Sequence, residues 1–144
     1  PVSGPNGPGE TRVLGPIYPF GHGLSYTTFA YSDLQVSPKE NHAGGKFTVT
    51  GKVTNTGDRQ GDEVVQLYVT DKVSSVVTYT SVLRGFERVS LAPGETRTVT
   101  FELHPSHLQL LDRNMNWTVE PGLFDIMVGA SSEDIRLKET VTVL

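Results

Sequence analysis

The amino-acid sequence predicts an all-β protein, a two-sheet antiparallel sandwich preceded by an extended N-terminal arm. Three observations lead to this fold class. Apolar residues recur at every second position in several segments after Phe29, turn residues separate these segments, and no segment carries a sustained 3.6-residue apolar stripe. About seven to eight strands result, which is typical of a single two-sheet sandwich.

Length and composition restrict the class of protein. The chain has 144 residues, of which 36% are hydrophobic and 19% charged, so one domain with its own core is expected. A net charge of −4 without a basic stripe argues against a nucleic-acid partner. The absence of an apolar run of about 20 residues argues against a membrane span. With no cysteine, disulfides, thiol nucleophiles and Cys-ligated metals are excluded.

The first part of the chain differs from the rest. Residues 1–19 contain nine Pro or Gly residues, a density that opposes both helices and central strands. We therefore expect an interdomain arm over residues 1–28 and the sandwich over residues 29–144. Because Pro1 stands first and methionine occurs only at Met115 and Met127, we expect a processed product or a piece of a longer protein.

The front strands are predicted at 31–36, 46–54 and 63–70. In the second of them, Phe47, Val49, Gly51 and Val53 share one face. A turn follows, in which Gly57 is free to adopt a positive φ. The third strand is more apolar, so we expect it to be central in its sheet or covered on both faces.

Two later strands begin after a Pro-Gly pair, Pro93-Gly94 and Pro121-Gly122, which suits a type II turn. Pro105 favours a turn or two of helix near residues 105–111. The remaining strands are predicted at 82–91, 98–103, 108–111 (short), 123–128 and 135–144.

A segment rich in aromatic residues and glycine stands just before the sandwich. Glycines among aromatics indicate a backbone pressed against another surface, where a Cβ would not fit, although a flexible entry loop is an equally good interpretation. The candidate interdomain contact residues are Tyr18, Phe20, Gly21, His22, Gly23, Leu24 and Tyr26.

Catalytic and metal-binding constellations are weak in this sequence. His104, His107 and Asp112 have a spacing that would admit a metal, but a solvated turn is the favoured interpretation. The carboxylates around Asp58 and Glu63 suit hairpin tips better than a catalytic cleft, and no nucleophile elbow surrounds any serine. We therefore predict no catalytic residue, no metal site and no cofactor.

Trp117 is the only tryptophan and lies in an Asn-Trp-Thr glycosylation pattern. Core or sheet-edge packing is the favoured interpretation, because tryptophan is usually largely buried. An exposed platform for stacking a sugar ring is the alternative.

Several blocks resemble the enzymes of glycoside hydrolase family three, the β-glucosidases, β-xylosidases and related glucanases. The segment Tyr18-Pro-Phe-Gly-His-Gly-Leu-Ser-Tyr-Thr-Thr-Phe29 is similar to the one that joins their second and third domains. The other matching blocks are Val53-Thr-Asn-Thr-Gly57, Gly61-Asp-Glu-Val-Val-Gln-Leu-Tyr68, Leu83-Arg-Gly-Phe-Glu-Arg-Val89, Leu91-Ala-Pro-Gly-Glu95, Val119-Glu-Pro-Gly122 and Gly129-Ala-Ser-Ser-Glu-Asp-Ile135.

This resemblance implies a C-terminal fibronectin type III-like domain with an immunoglobulin-like sandwich. It also implies that the nucleophilic Asp and the acid/base Glu of the parent lie in a barrel domain and an α/β domain outside this chain. We therefore expect the chain alone to be inactive and the parent to be a retaining β-glycosidase that hydrolyses O-glycosyl bonds. A periplasmic or secreted bacterial location is implied in the same way.

Three functions follow as hypotheses. The first is a non-catalytic accessory domain that packs on and stabilises the catalytic domains of the same polypeptide. The second is a polysaccharide-binding module, for which Tyr68, Tyr79 and Trp117 would supply exposed aromatic rings. A generic adhesion or signalling module explains the strands but leaves the aromatic arm unexplained.

Overall fold

Ten strands form the computed structural model, which describes residues 25–74 and 81–144. A 3-10 turn at Pro105–His107 lies between the sixth and seventh strands. The strands are β1 (Phe29–Ser37), β2 (Glu40–Asn41), β3 (Phe47–Asn55), β4 (Gly61–Asp71), β5 (Val82–Leu91), β6 (Thr96–Leu103), β7 (Leu110–Leu111), β8 (Trp117–Thr118), β9 (Gly122–Gly129) and β10 (Ile135–Val143).

The strands form two main sheets, which confirms the predicted sandwich. One sheet has the order β1-β3-β6, and the other has the order β2-β10-β9-β4-β5. All pairs in them are antiparallel except the short β2–β10 pair. Strands β7 and β8 make a separate two-stranded ribbon. In the described ranges, no helix is long and apolar enough to cross a bilayer.

The core lies between the two sheets and follows the period-two pattern. In β3, Phe47, Val49 and Val53 are completely buried, as the alternation predicts. Each such side chain contributes about 1.5–3 kcal/mol relative to an exposed one. The other large, fully buried side chains of this core come from both sheets: Phe124, Leu67, Leu91, Leu103, Ile126, Val65, Val89 and Val99.

Strand β4 is central, as its apolar composition predicts. It pairs with β5 on one side and β9 on the other, and Val65 to Val69 are all at most 4% exposed. Gln66 and Tyr68 face away from the core, yet both are buried, and the Tyr68 hydroxyl donates to Gln66 Oε1 at 2.5 Å. The expectation that Tyr68 is an exposed ring for sugar stacking is therefore wrong, and Tyr79 lies outside the described residues.

The sequence predicts positive φ angles for the turn glycines Gly57, Gly94 and Gly122, and only Gly94 has the predicted turn conformation. Gly94 has φ 75°, and Glu95 N donates to Ala92 O at 3.0 Å, as in a type II turn. Gly122 has φ 155°, far from the type II value of about 80°, so that turn prediction is wrong. Gly57 has no positive φ, and its requirement for glycine has a different cause, described below.

The strands define two ends of the sandwich. We call one the entry end, where Ser25 lies close to Gly61, and the other the far end, where Trp117 lies. Strand β4 runs from the entry end to the far end, and its 11 residues extend over about 36 Å at roughly 3.3 Å each. Strand β10 runs in the same direction, so Leu144 also lies at the far end.

Candidate functional site: the anchor of the arm

The predicted contact segment meets the described structure at its last residue. Tyr26 is 93% exposed and lies in a shallow depression with Gln60, Asp62 and Arg88. The other predicted contact residues lie outside the described residues: Tyr18, Phe20, Gly21, His22, Gly23 and Leu24. What the structure describes is the place where the arm joins the sandwich, and three groups of contacts fix it there.

The first group of contacts is centred on Asn55, which is completely buried at the end of β3. Its Oδ1 accepts hydrogen bonds from the Thr27 hydroxyl (2.8 Å) and from Gly57 N (3.0 Å). Its Nδ2 donates to Arg59 O (2.7 Å) and to Leu91 O (2.9 Å). The amide thus uses both of its donors and both acceptor positions, which ties the arm, the β3–β4 turn and the end of β5 together.

Two glycines let the arm approach the sandwich closely. A Cβ on Gly57 would lie 2.0 Å from Thr27 Oγ1, and one on Gly61 would lie 2.4 Å from Thr27 Cγ2. Beside them, Thr56 N donates to Thr28 O (2.8 Å), and the hydroxyls of the two threonines are 2.9 Å apart. Thr27 of the arm packs so closely on Gly57 and Gly61 that a Cβ at either position would clash with it. Glycine therefore allows this close approach.

Arg136 holds the start of β1 from the opposite sheet. Its Nη1 donates to Phe29 O, and its guanidinium lies over the Tyr31 ring at 4.9 Å from the centroid. Its Nε and Nη2 donate to the two carboxylate oxygens of Asp134 at 3.1 and 2.9 Å. Those bonds lower the pKa of Asp134 and fix the arginine in place.

A partly buried carboxylate completes this cluster. Burial raises the pKa of Glu63, an effect that the nearby Arg136 charge opposes without cancelling it. Burial, together with the Glu63 charge, also raises the pKa of the Tyr31 hydroxyl. The folded chain therefore favours the protonated form of Glu63 more than the unfolded chain does.

Replacing Glu63 with glutamine is expected to stabilise the domain more at neutral than at acidic pH. Because the folded pKa is raised, the stability that the protonated group contributes is complete below the ordinary pKa of 4.5 and is lost as the pH rises through the folded pKa. Glutamine is neutral throughout. Urea unfolding of both proteins at about pH 3.5 and about pH 7 measures the difference.

Asp62→Asn is the matched control, because the pKa of Asp62 is shifted in the opposite direction from that of Glu63. The hydrogen bond from Arg88, with a further one from Ser90, lowers the pKa of Asp62, so its contribution is present above 3.8 and is lost as the pH falls through the folded pKa. The asparagine variant should therefore be the less stable at neutral pH. If the free energy of unfolding changed with pH in the same way in both variants, the opposite pKa shifts assigned to Glu63 and Asp62 would be contradicted.

The other sequence candidates are not brought into such a cluster. His104 and His107 meet edge to face with ring centroids 5.7 Å apart, and His104 N donates to His107 Nδ1 in the 3-10 turn. Among the residues that the structure describes, no three His, Asp or Glu side chains are close enough to hold a metal ion. Trp117 is 67% exposed, so the expected core or edge packing is wrong.

Sequence reasoning missed the two central residues of the anchor. The sequence places Asn55 only in the turn that follows the predicted strand over 46–54, and it gives Arg136 no role. The available signal was position: a lone asparagine at the apolar end of a strand has no place in a core unless its amide is fully bonded. Nothing in the local sequence around Arg136 indicates that it reaches Phe29, 107 positions away.

Comparison with known proteins identifies the family of the chain. The model of the fibronectin type III-like domain family matches residues 63–132. A β-xylosidase of Formosa agariphila is 50% identical over 123 residues, which are 85% of this chain and 17% of that protein. A periplasmic β-glucosidase of Salmonella typhimurium is 41% identical over 122 residues, 85% of this chain and 16% of that protein. The chain spans less than a fifth of the length of these relatives.

Solved structures show the same relationship. A β-glucosidase from Erythrobacter marinus superposes with a TM-score of 0.85 at 38% identity, over 96% of this chain and 18% of that one. A GH3 β-glucosidase from Bifidobacterium adolescentis superposes with a TM-score of 0.81 at 38% identity, over 88% and 18%. The chain belongs to the fibronectin type III-like domains of the glycoside hydrolase family three β-glucosidases and β-xylosidases.

Proposed function

We propose that this chain is a non-catalytic accessory domain of a retaining β-glycosidase, which packs on the catalytic domains of the same polypeptide and stabilises them. The observation that carries the proposal is the anchor. Asn55, Thr27 and Arg136 fix the direction in which the arm leaves the sandwich, while Tyr26 stays exposed. A domain tethered only by a flexible linker would not need a fixed exit.

The engagement of Asp125, a buried acidic side chain, supports a non-catalytic role. A retaining glycosidase needs two carboxyl groups about 5–5.5 Å apart, one with a raised pKa. Asp125 instead accepts from Lys138 (2.8 Å) and Thr140 (2.7 Å), with Lys72 at 3.9 Å. Burial acts to raise the pKa of Asp125, but these partners outweigh it and the pKa is lowered. Such a group is held as a structural anion.

The relatives support the placement of the parent enzyme outside the cytoplasm, because one of them is a periplasmic β-glucosidase. We propose a periplasmic or secreted bacterial parent, and catalytic domains of that same polypeptide as the partner. The sugar on which the parent acts would be a β-glucoside or a β-xyloside, as the names of the relatives indicate.

Deleting residues 25–144 from the parent enzyme is expected to lower its melting temperature by about 5 °C or more, because the catalytic domains would lose the interface that this domain covers. The kcat of the molecules that remain folded should not change, because the reacting groups lie elsewhere. Differential scanning calorimetry and initial rates on p-nitrophenyl β-glycosides measure the two quantities.

Two results would contradict this proposal. One is an unchanged melting temperature after the deletion. The other is release of p-nitrophenol by the 144-residue chain itself, above a no-protein control and reduced by substitution of Glu63 or His104.

Polysaccharide binding is the second candidate, and among the described residues Trp117 is the predicted ring that is exposed. Trp117 begins β8, directly after a turn in which Asp112 Oδ1 accepts from Asn114 N (2.7 Å) and Asn116 N (2.9 Å). A rigid, exposed indole is suited to stacking on a sugar. Retarded mobility in gels containing xylan, laminarin or cellulose, lost in Trp117→Ala, would favour this function.

A further inference from the structure

We propose that one outward surface of strands β4 and β5, next to Tyr26, is the face that docks on the catalytic part of the parent polypeptide. This inference rests on the accessory role proposed above and adds the location of the interface. We call the surface the Phe86 face and define it by five residues: Tyr26, Asp62, Val64, Phe86 and Arg88.

Strand geometry places these side chains together. Asp62 and Val64 are two positions apart in β4, and Phe86 and Arg88 are two positions apart in β5, so each pair shares one side of the sheet. Val64 lies directly opposite Arg88. Tyr26 adjoins them, because it lines the same depression as Asp62 and Arg88.

The Phe86 face combines large exposed apolar side chains with an ion pair. Phe86 is 70% exposed, Tyr26 is 93% exposed and Val64 is 38% exposed. Arg88 donates from Nε and Nη2 to Asp62 Oδ2, which uses two of its five N–H donors. Aromatic rings with a neighbouring arginine are the composition that is enriched at the centres of protein interfaces.

The place where the polypeptide enters the sandwich indicates which partner covers the Phe86 face. The polypeptide enters the sandwich at Ser25, and the contacts of Thr27 with Asn55 fix it at the entry end, beside the Phe86 face. More than four-fifths of the length of the relatives lies outside this chain. In the proposed parent, catalytic domains that precede this chain are joined covalently to Ser25 through residues 1–24 and so stay within reach of this face. A covalent tether makes the encounter intramolecular and raises the effective concentration of the partner surface, so a modest interface is enough to hold it.

The partner surface can be described by its chemistry. It should offer an apolar depression for the Phe86 ring and a carbonyl or carboxylate for the remaining donors of Arg88. An interface between domains of one chain commonly buries roughly 600–1,500 Å². The two strands of the Phe86 face and the exposed ring of Tyr26 form a continuous surface for such a contact.

The test uses two matched variants in the parent enzyme, Phe86→Thr and Trp117→Thr. Both replace an exposed aromatic residue in a strand by a residue that favours strands, at 70% and 67% exposure, but at different ends of the sandwich. We expect Phe86→Thr to lower the melting temperature of the parent by about 3 °C or more and Trp117→Thr to leave it unchanged. Neither substitution should shift the melting temperature of the isolated 144-residue chain.

Hydrogen exchange gives a second readout that does not depend on a substitution. Amides of β5 and of residues 25–28 should exchange at least about five times more slowly in the parent than in the 144-residue chain. Amides of β7 and β8 should exchange equally in both.

The outcomes separate the location from the function. If deletion of the domain destabilises the parent but Phe86→Thr has no larger effect than Trp117→Thr, the Phe86 face is not the interface and the accessory role stands. If the tryptophan variant has the larger effect, the interface lies at the far end. If deletion has no effect, both proposals fail.

Discussion

Replacing Asn55 with alanine is expected to lower the melting temperature of this domain by about 10 °C, which corresponds to a loss of roughly 3 kcal/mol. The reason is that Asn55 is fully buried and makes four side-chain hydrogen bonds. Alanine would leave Leu91 O without this donor in a place that water does not reach. Thermal unfolding followed by circular dichroism measures the shift.

Asn41→Ala is the matched control for this effect. Asn41 also uses both ends of its amide, since Nδ2 donates to Lys46 O (2.9 Å) and Oδ1 accepts from His42 N (3.0 Å). It is only half-buried, so water can replace the lost partners at a cost of about 1 kcal/mol. If both variants shift the melting temperature equally, Asn55 is not the centre of the anchor.

Replacing Gly129 with alanine is expected to cost about 3 kcal/mol or more, because the clash is with main-chain atoms. A Cβ there would lie 2.1 Å from Asp134 O and 2.8 Å from Ile135 Cα, and neither atom can rotate away. The tight hairpin between β9 and β10 would have to open. Since this hairpin carries Asp134, the clamp formed by Arg136 would loosen as well. Urea denaturation gives the free energy of unfolding.

Gly44→Ala is the corresponding control. Its added Cβ would meet nothing closer than His42 Nδ1 at 3.6 Å, an ordinary contact, and its φ is not positive. We expect a change of less than about 1 kcal/mol, with a small gain from the reduced freedom of the unfolded chain. A loss as large as that of Gly129→Ala would show that the effect comes from removing glycine rather than from the clash.

The strands were predictable from the sequence because their signal is local. Alternation from Phe47 to Val53 and the continuous apolar run around Leu67 follow directly from which faces of a strand are covered. The strand predicted over 82–91 coincides with β5, Val82–Leu91. A pattern of this kind reports burial residue by residue, and burial is what a sheet imposes.

The anchor was predictable only in part, because it depends on pairs of residues that are far apart in the sequence. Gly57 was assigned a turn conformation, whereas its actual role is to make room for Thr27. Nothing in the local pattern distinguishes Tyr68 from a surface aromatic residue, yet it is 1% exposed and its hydroxyl donates to Gln66 on the same strand, β4, which has a paired strand on each side. For Trp117 the opposite holds, since it is 67% exposed in a separate two-stranded ribbon outside the two main sheets.

The opposite positions of Ser25 and Leu144 have a mechanical consequence. A stretching force between these two residues would act parallel to β1 and β10, because one strand starts at the entry end and the other finishes at the far end. Hydrogen bonds between antiparallel strands are perpendicular to that direction, so many of them must break together. The tension would pass from the arm into the β-sandwich through Asn55 and Arg136, which makes the anchor the point where a pull on the arm is transmitted to both sheets.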